Sequence, residues 1–213
     1  MQTIRRFVRT THVICGAFLS VLALGAIPAS AQNGGGAAPE DGQGLRKGAV
    51  EIGGIFGSTL PVSWLRAHPD RHITMASLDI GRIMTGQIGH GPLAGQFEFL
   101  LEFTPVLLVR QPSHAFGLAT SPLHMRWNFA PGHRLRPFTE VSGGIVFTNE
   151  AVPVRTTRFN FIDQAGFGLR WDTSPRLALL AGYRFQHISN AGRVKPNPGV
   201  NFNLVYGGVT LLR

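Results

Sequence analysis

The sequence predicts an all-β fold, an eight-stranded antiparallel transmembrane β-barrel of outer-membrane type. Beyond residue 48 there is no convincing helical period, no heptad and no apolar run long enough to cross a bilayer as a helix. What recurs is a segment of roughly 10 to 14 residues with period-two alternation, bounded by Gly, Pro, Asn or Asp. Eight such segments can be read along the 213 residues. Each is long enough for a tilted crossing, which takes about 9 to 11 residues, and aromatics gather near segment ends as in an interfacial girdle.

Taken in chain order, the first element is an export signal. Arg5, Arg6 and Arg9 precede an apolar run from about Val13 to Ile27, followed by Ala29-Ser30-Ala31. A basic start, a short apolar core and an A-x-A site mark a secretory signal peptide, expected over residues 1–31. A membrane anchor would need about 20 apolar residues, and this run stops at Pro28. The only cysteine, Cys15, falls inside it, so the mature chain is expected to hold no disulfide, no thiol nucleophile and no Cys-ligated metal. Residues 32–48 are rich in Gly, Ala and polar types and read as a flexible leader, with the barrel over 49–213. The formal charge of +9, carried almost entirely by arginine, suits an anionic surface such as nucleic acid or phosphorylated lipid. Export disfavours nucleic acid.

The eight strands are expected to begin near Ala49, His72, Gly95, Ala115, Arg136, Phe159, Arg176 and Asn201. Their two faces differ sharply. In Gln96 to Thr104 one face reads Phe97, Phe99, Leu101, Phe103, and the other carries Glu98 and Glu102. In Leu123 to Phe129 the apolar face is Leu123, Met125, Trp127, Phe129, opposite His124, Arg126 and Asn128. From Phe159 to Trp171 the odd-numbered face is apolar except for Asp163, and in the seventh segment Leu177, Leu179, Ala181, Tyr183 and Phe185 oppose Arg184 and Gln186. A soluble barrel with its apolar face inward would alternate too. Strand length and aromatic placement favour the inverse arrangement, a charge-paired interior inside a lipid-facing wall. The final Leu211-Leu212-Arg213, lacking a terminal aromatic, fits less well.

An even strand count puts both termini on the periplasmic side. The turns near Ala130 to Arg134 and Asp172 to Pro175 are then periplasmic and short, while Ser58 to Arg71, Asn149 to Arg158 and Asn190 to Val200 are external and longer. Ile83 to Ala94 is long for a periplasmic turn. Arg66, Arg71, Arg155, Arg158, Arg193 and Lys195 on the external loops suit lipopolysaccharide phosphates or an ordinary solvated surface equally.

One constellation carries chemistry. In Tyr183-Arg184-Phe185-Gln186-His187-Ile188-Ser189-Asn190-Ala191-Gly192, a histidine and a serine stand two residues apart. On a strand they share a face, about 6 to 7 Å apart at the backbone. A base within reach of a hydroxyl is the minimum for nucleophilic acyl transfer. Both continue the odd-numbered face, so they should point outward at the external end. There a polar pair is costly unless it serves something, or unless it is a chance pair near water.

His187-Ile188-Ser189-Asn190-Ala191-Gly192, followed by Asn197-Pro198-Gly199, resembles the signature of the PagL-type lipid A 3-O-deacylases, outer-membrane esterases of the acyloxyacyl hydrolase-like kind with eight-stranded barrels. The resemblance is strong over about Arg176 to Val209 and elsewhere lies in strand rhythm. It implies Ser189 as nucleophile, His187 as general base, lipid A of lipopolysaccharide as substrate, the outer membrane as location, and no metal or other cofactor. A homodimer is compatible with it. Oxyanion donors are expected in the turn, from Asn190, Gly192 and Asn197, with Gly192 allowing close backbone approach. One position departs from the family. Fourteen residues beyond the histidine the family carries a glutamate that orients it, and here stands Asn201.

An amide oxygen at 201 can accept the Nδ1 proton but lacks the full charge that stabilises an imidazolium. If Trp171 pairs with Leu177, Asp163 becomes a diagonal neighbour of His187 and an alternative source of that charge. Two readings compete with the esterase: a non-catalytic outer-membrane barrel of structural or adhesion type, and a soluble periplasmic lipid-binding barrel. The remaining motifs weigh less. His68 and His72 have the spacing of a helical metal pair, but Pro69 makes turn residues the better reading. Gly86 to Gly91 lacks the lysine of a phosphate loop, and Gly143-Gly144 and Gly166-x-Gly168 read as strand glycines that allow close packing.

Overall fold

A computed structural model describes residues 45–67 and 69–213. The expected signal peptide (1–31), the leader as far as residue 44, and His68 lie outside the described residues. Of the remaining leader, Leu45 is buried and its carbonyl accepts a hydrogen bond from Gln96 Nε2 at 2.7 Å, so fixed backbone begins there.

Eight strands follow in order: β1 (Val50–Thr59), β2 (His72–Ile83), β3 (Gly95–Arg110), β4 (His114–Phe129), β5 (Leu135–Thr148), β6 (Phe159–Asp172), β7 (Leu177–Ser189) and β8 (Val200–Leu212). Each starts within one residue of its expected position. Every strand pairs antiparallel with the next, and β1 closes on β8. Among the described residues no helix is long and apolar enough to cross a membrane; the crossings are strands.

The two faces fall as the charge pattern requires. Phe56, Phe116 and Leu123 are each more than 60% exposed on the outside, while Arg126, Arg170 and Arg184 are at most 1% exposed inside. A soluble barrel has the opposite arrangement, so the inverted faces identify a transmembrane barrel of outer-membrane type. The interior cations Arg184 and Arg170 pair with carboxylates reached across the lumen and, for Arg170 with Asp172, along the same strand. Arg184 donates to Glu140 and to Glu102, each at 2.6 Å, and Arg170 pairs with Glu51 and Asp172. Unpaired charges of this kind could not be held away from water.

β3 and β4 are longer than expected, at 16 residues each. Their pairing is interrupted by bulges around Pro105 and Pro122, the residues that cannot donate to a ladder. Each bulge switches parity. In β3 the inward residues pass from Thr104 to Leu107, and in β4 from Ser121 to His124. The glycines behave as expected: a Cβ on Gly144 would lie 2.0 Å from the Thr120 carbonyl oxygen, and one on Gly166 would lie 2.4 Å from that of Tyr183. Pro69 and Asp70 form a turn, and His72 opens β2.

One expected register is corrected. Trp171 pairs with Leu179 rather than Leu177, because the β6–β7 turn is closed by bonds from Thr173 and Ser174 to Leu177. The shift places Asp163 directly opposite His187, not diagonal to it.

Candidate active site

The site is built where β6, β7 and β8 reach the external rim. Alternation along β7 turns Tyr183, His187 and Ser189 outward and Arg184, Gln186 and Ile188 into the interior. His187 pairs in register with Asn201 of β8. Their side chains meet on the lipid side, with His187 Nδ1 and Asn201 Oδ1 2.6 Å apart.

The tautomer of that imidazole follows from a loop. Asn201 Nδ2 donates to the Leu65 carbonyl at 3.0 Å, and a carbonyl can only accept. The amide is thereby oriented with Oδ1 toward His187, so Nδ1 must carry the proton. Nε2 keeps its lone pair, which is the form a general base needs.

Leu65 belongs to the first external connection, which folds down over the outer wall instead of standing clear of it. Asn203 faces outward yet is 0% exposed, because its Nδ2 donates to the carbonyls of Val62 at 3.3 Å and Trp64 at 2.7 Å. Tyr183 donates its hydroxyl to Asn203 Oδ1 at 2.6 Å and stacks between Trp64 and Phe167, with centroids 5.5 and 5.4 Å away. Leu65 and Arg66 both adopt left-handed φ, of 54° and 61°. For such residues this is uncommon, and the asparagine bonds hold the segment in place. Sequence reasoning missed this clasp. Its signal was Asn201-x-Asn203, two amides on an otherwise apolar outward face of β8.

Ser189 ends β7 and is 8% exposed. Among the described residues no hydrogen bond joins its hydroxyl to His187. Gly199 lies against the imidazole on its Cε1–Nε2 edge: a Cβ there would come 2.6 Å from Cε1 and 3.2 Å from Nε2, and φ is +63°. Only glycine fits both conditions.

The expected oxyanion donors are partly committed elsewhere. Asn190 N–H donates to Asn197 Oδ1 at 3.1 Å, Gly192 N–H donates to Asn190 Oδ1 at 2.9 Å, and Asn190 Nδ2 donates to the Val194 carbonyl at 2.9 Å. These bonds set the 190–199 turn. Of the donors of these three residues, Asn197 Nδ2 and the Asn197 N–H are the ones not engaged among the described residues. Asp163 is exposed, and no hydrogen bond joins it to His187. At the opposite end, a cavity lined by His133, Arg136, Asp172 and Leu212 lies on the periplasmic side and takes no part.

A family model described as lipid A 3-O-deacylase (PagL) matches residues 78–210, which include every residue named for the site except those of the 60–67 loop. The crystal structure of the outer membrane enzyme PagL is similar with a TM-score of 0.51 and 17% identity, over 74% of this chain and 97% of that one. The N-terminal β-barrel domain of Pseudomonas aeruginosa OprF gives 0.49 and 16% identity, over 80% and 100% of the two chains. Neisserial surface protein A gives 0.46 and 15%, over 76% and 95%. At such identities the likeness concerns the barrel fold. No curated protein matches the sequence.

Proposed function

Since the chain belongs to the lipid A 3-O-deacylase (PagL) family, we propose that it is an outer-membrane serine esterase that removes the 3-O-linked acyl chain of lipid A. The observation that carries this reading is the 2.6 Å contact between His187 and Asn201 on the lipid-facing rim, two residues before Ser189. An ester in the outer leaflet meets that rim from the membrane side.

In the proposed reaction, Ser189 Oγ attacks the ester carbonyl while His187 Nε2 takes its proton. Asn201 holds the Nδ1–H through the imidazolium stage. The tetrahedral oxyanion takes a hydrogen bond from Asn197 Nδ2, supplemented by amides of the 190–192 turn that reorient when substrate enters. Collapse expels the sugar hydroxyl, which receives the proton from His187. Water, activated by the same histidine, then releases the 3-hydroxy fatty acid and restores Ser189. Arginines of the external loops, among them Arg155, Arg158 and Arg193, are exposed and can pair with lipid A phosphates.

The test is mass spectrometry of lipid A from cells expressing the wild type or Ser189→Ala. Loss of one 3-hydroxyacyl mass with the wild type, and none with a Ser189→Ala protein that still shows heat-modifiable migration, supports the reading. Deacylation that persists in Ser189→Ala overturns it. The non-catalytic barrel has one observation on its side, the engagement of the Asn190 and Gly192 amides within their own turn, and unchanged lipid A with the wild type would favour it.

A further inference from the structure

Inside the barrel, on the opposite side of the wall from His187, three adjacent strands bring together a set of groups that the interior ion pairs leave incomplete. Asp79 of β2, Glu102 of β3 and His124 of β4 are all buried, and one ligand atom from each lies within 4.8 Å of the others. Asp79 and Glu102 are register partners, so two carboxylates sit side by side on one face. Like charges so placed repel.

Glu102 has a counter-charge, Arg184 Nη1 at 2.6 Å from Oε2. Asp79 does not. Although it is only 2% exposed, neither of its oxygens has a hydrogen-bond partner among the described residues. His124 is half satisfied: Nε2 lies 3.2 Å from Glu140 Oε2, while Nδ1 stands 3.7 Å from Glu102 Oε2 and is unpartnered. With Nε2–H donated to Glu140, the Nδ1 lone pair points into the cluster. A carboxylate behind one ring nitrogen and a free lone pair on the other is how a metal-ligating histidine is oriented. The charge balance agrees, since buried carboxylates outnumber buried guanidiniums by six to four among the described residues. One divalent cation cancels the difference.

We propose that Asp79, Glu102 and His124 bind one divalent first-row transition ion of the zinc type, as a structural centre linking β2, β3 and β4. One imidazole and two carboxylates suit such an ion better than Ca²⁺ or Mg²⁺, which prefer all-oxygen shells. Bond lengths of about 2.0 to 2.2 Å require the ligand atoms to close by roughly 1 Å, within the reach of side-chain rotation. The centre neutralises Asp79, ties three strands together, and is independent of the esterase chemistry outside the wall.

The test uses the untagged full chain refolded into detergent micelles with or without zinc chloride, then stripped of loose metal on a chelating resin. Wild type is expected to retain close to one zinc per chain by elemental analysis, and zinc should raise the temperature at which heat-modifiable migration is lost by about 5 °C or more. Asp79→Asn should retain none and lose that shift. Because asparagine is nearly isosteric with aspartate, the metal-free form of Asp79→Asn should unfold close to metal-free wild type, which separates loss of a ligand from loss of the fold. Retention well below one zinc in wild type, or equal retention in Asp79→Asn through surface histidines, overturns the proposal.

Discussion

Replacing Asn201 by alanine separates an orienting amide from a surrogate for the missing carboxylate. The substitution removes an acceptor 2.6 Å from His187 Nδ1 and the donor that holds the Leu65 carbonyl. In the resting state the lost bond joins two neutral groups and contributes about 1 kcal/mol. In the transition state the donor becomes an imidazolium, and a charge-assisted bond contributes about 2 kcal/mol. Only the difference, about 1 kcal/mol, raises the barrier, so at 1.36 kcal/mol per decade kcat should fall roughly fivefold. KM should change little, because Asn201 does not touch the acyl chain. The assay is release of 3-hydroxy fatty acid from purified lipid A in micelles, with heat-modifiable migration as the check on folding. Asn201→Asp supplies a second arm: it keeps the acceptor and adds charge, but sets an oxygen against the Leu65 carbonyl. It should raise kcat above Asn201→Ala while hydrogen exchange at Trp64 to Ala67 accelerates. A fall of less than twofold in Asn201→Ala would refute the orienting role, and a fall near the roughly ten-thousandfold of a lost triad carboxylate would refute the neutral-amide reasoning.

Three further outcomes follow from other contacts. Gly199→Ala should lose at least as much kcat as Asn201→Ala. Its φ of +63° costs roughly 1 to 2 kcal/mol for a residue with a Cβ, and that Cβ, 2.6 Å from His187 Cε1, must push the ring off Asn201. Asp163→Asn should change kcat by less than about threefold, since Asp163 stands opposite His187 at the rim without a hydrogen bond to it; a larger loss than in Asn201→Ala would make Asp163 the charged partner. Glu140→Gln should lower the temperature at which heat-modifiable migration is lost. Its carboxylate accepts from Arg184 Nε and the Tyr206 hydroxyl at 2.6 Å each and from Arg126 Nη2 at 3.2 Å, and breaking a buried pair costs about 3 to 5 kcal/mol.

The sequence by itself determined the barrel, its strand starts and which face meets lipid in the stretches 96–104, 123–129, 159–171 and 177–185. Period-two alternation is a local property, and charge on one face with aromatics on the other survives any arrangement of neighbours. It also located His187, Ser189 and Asn201, because two of them share a strand and the third lies across a single hairpin. What only the tertiary structure decided were relations between distant strands and loops. A two-residue register shift moved Asp163 from diagonal to opposite, set by turn bonds at Thr173 and Ser174 that alternation does not encode. The bulges at Pro105 and Pro122 reversed parity within β3 and β4. The registers of β2, β3 and β4 brought Asp79, Glu102 and His124 together inside. And the Leu65 carbonyl, 136 residues before Asn201 in the chain, fixed the proton on His187. A backbone carbonyl has no signature in the amino-acid code, so its aim at one amide exists only in the folded chain.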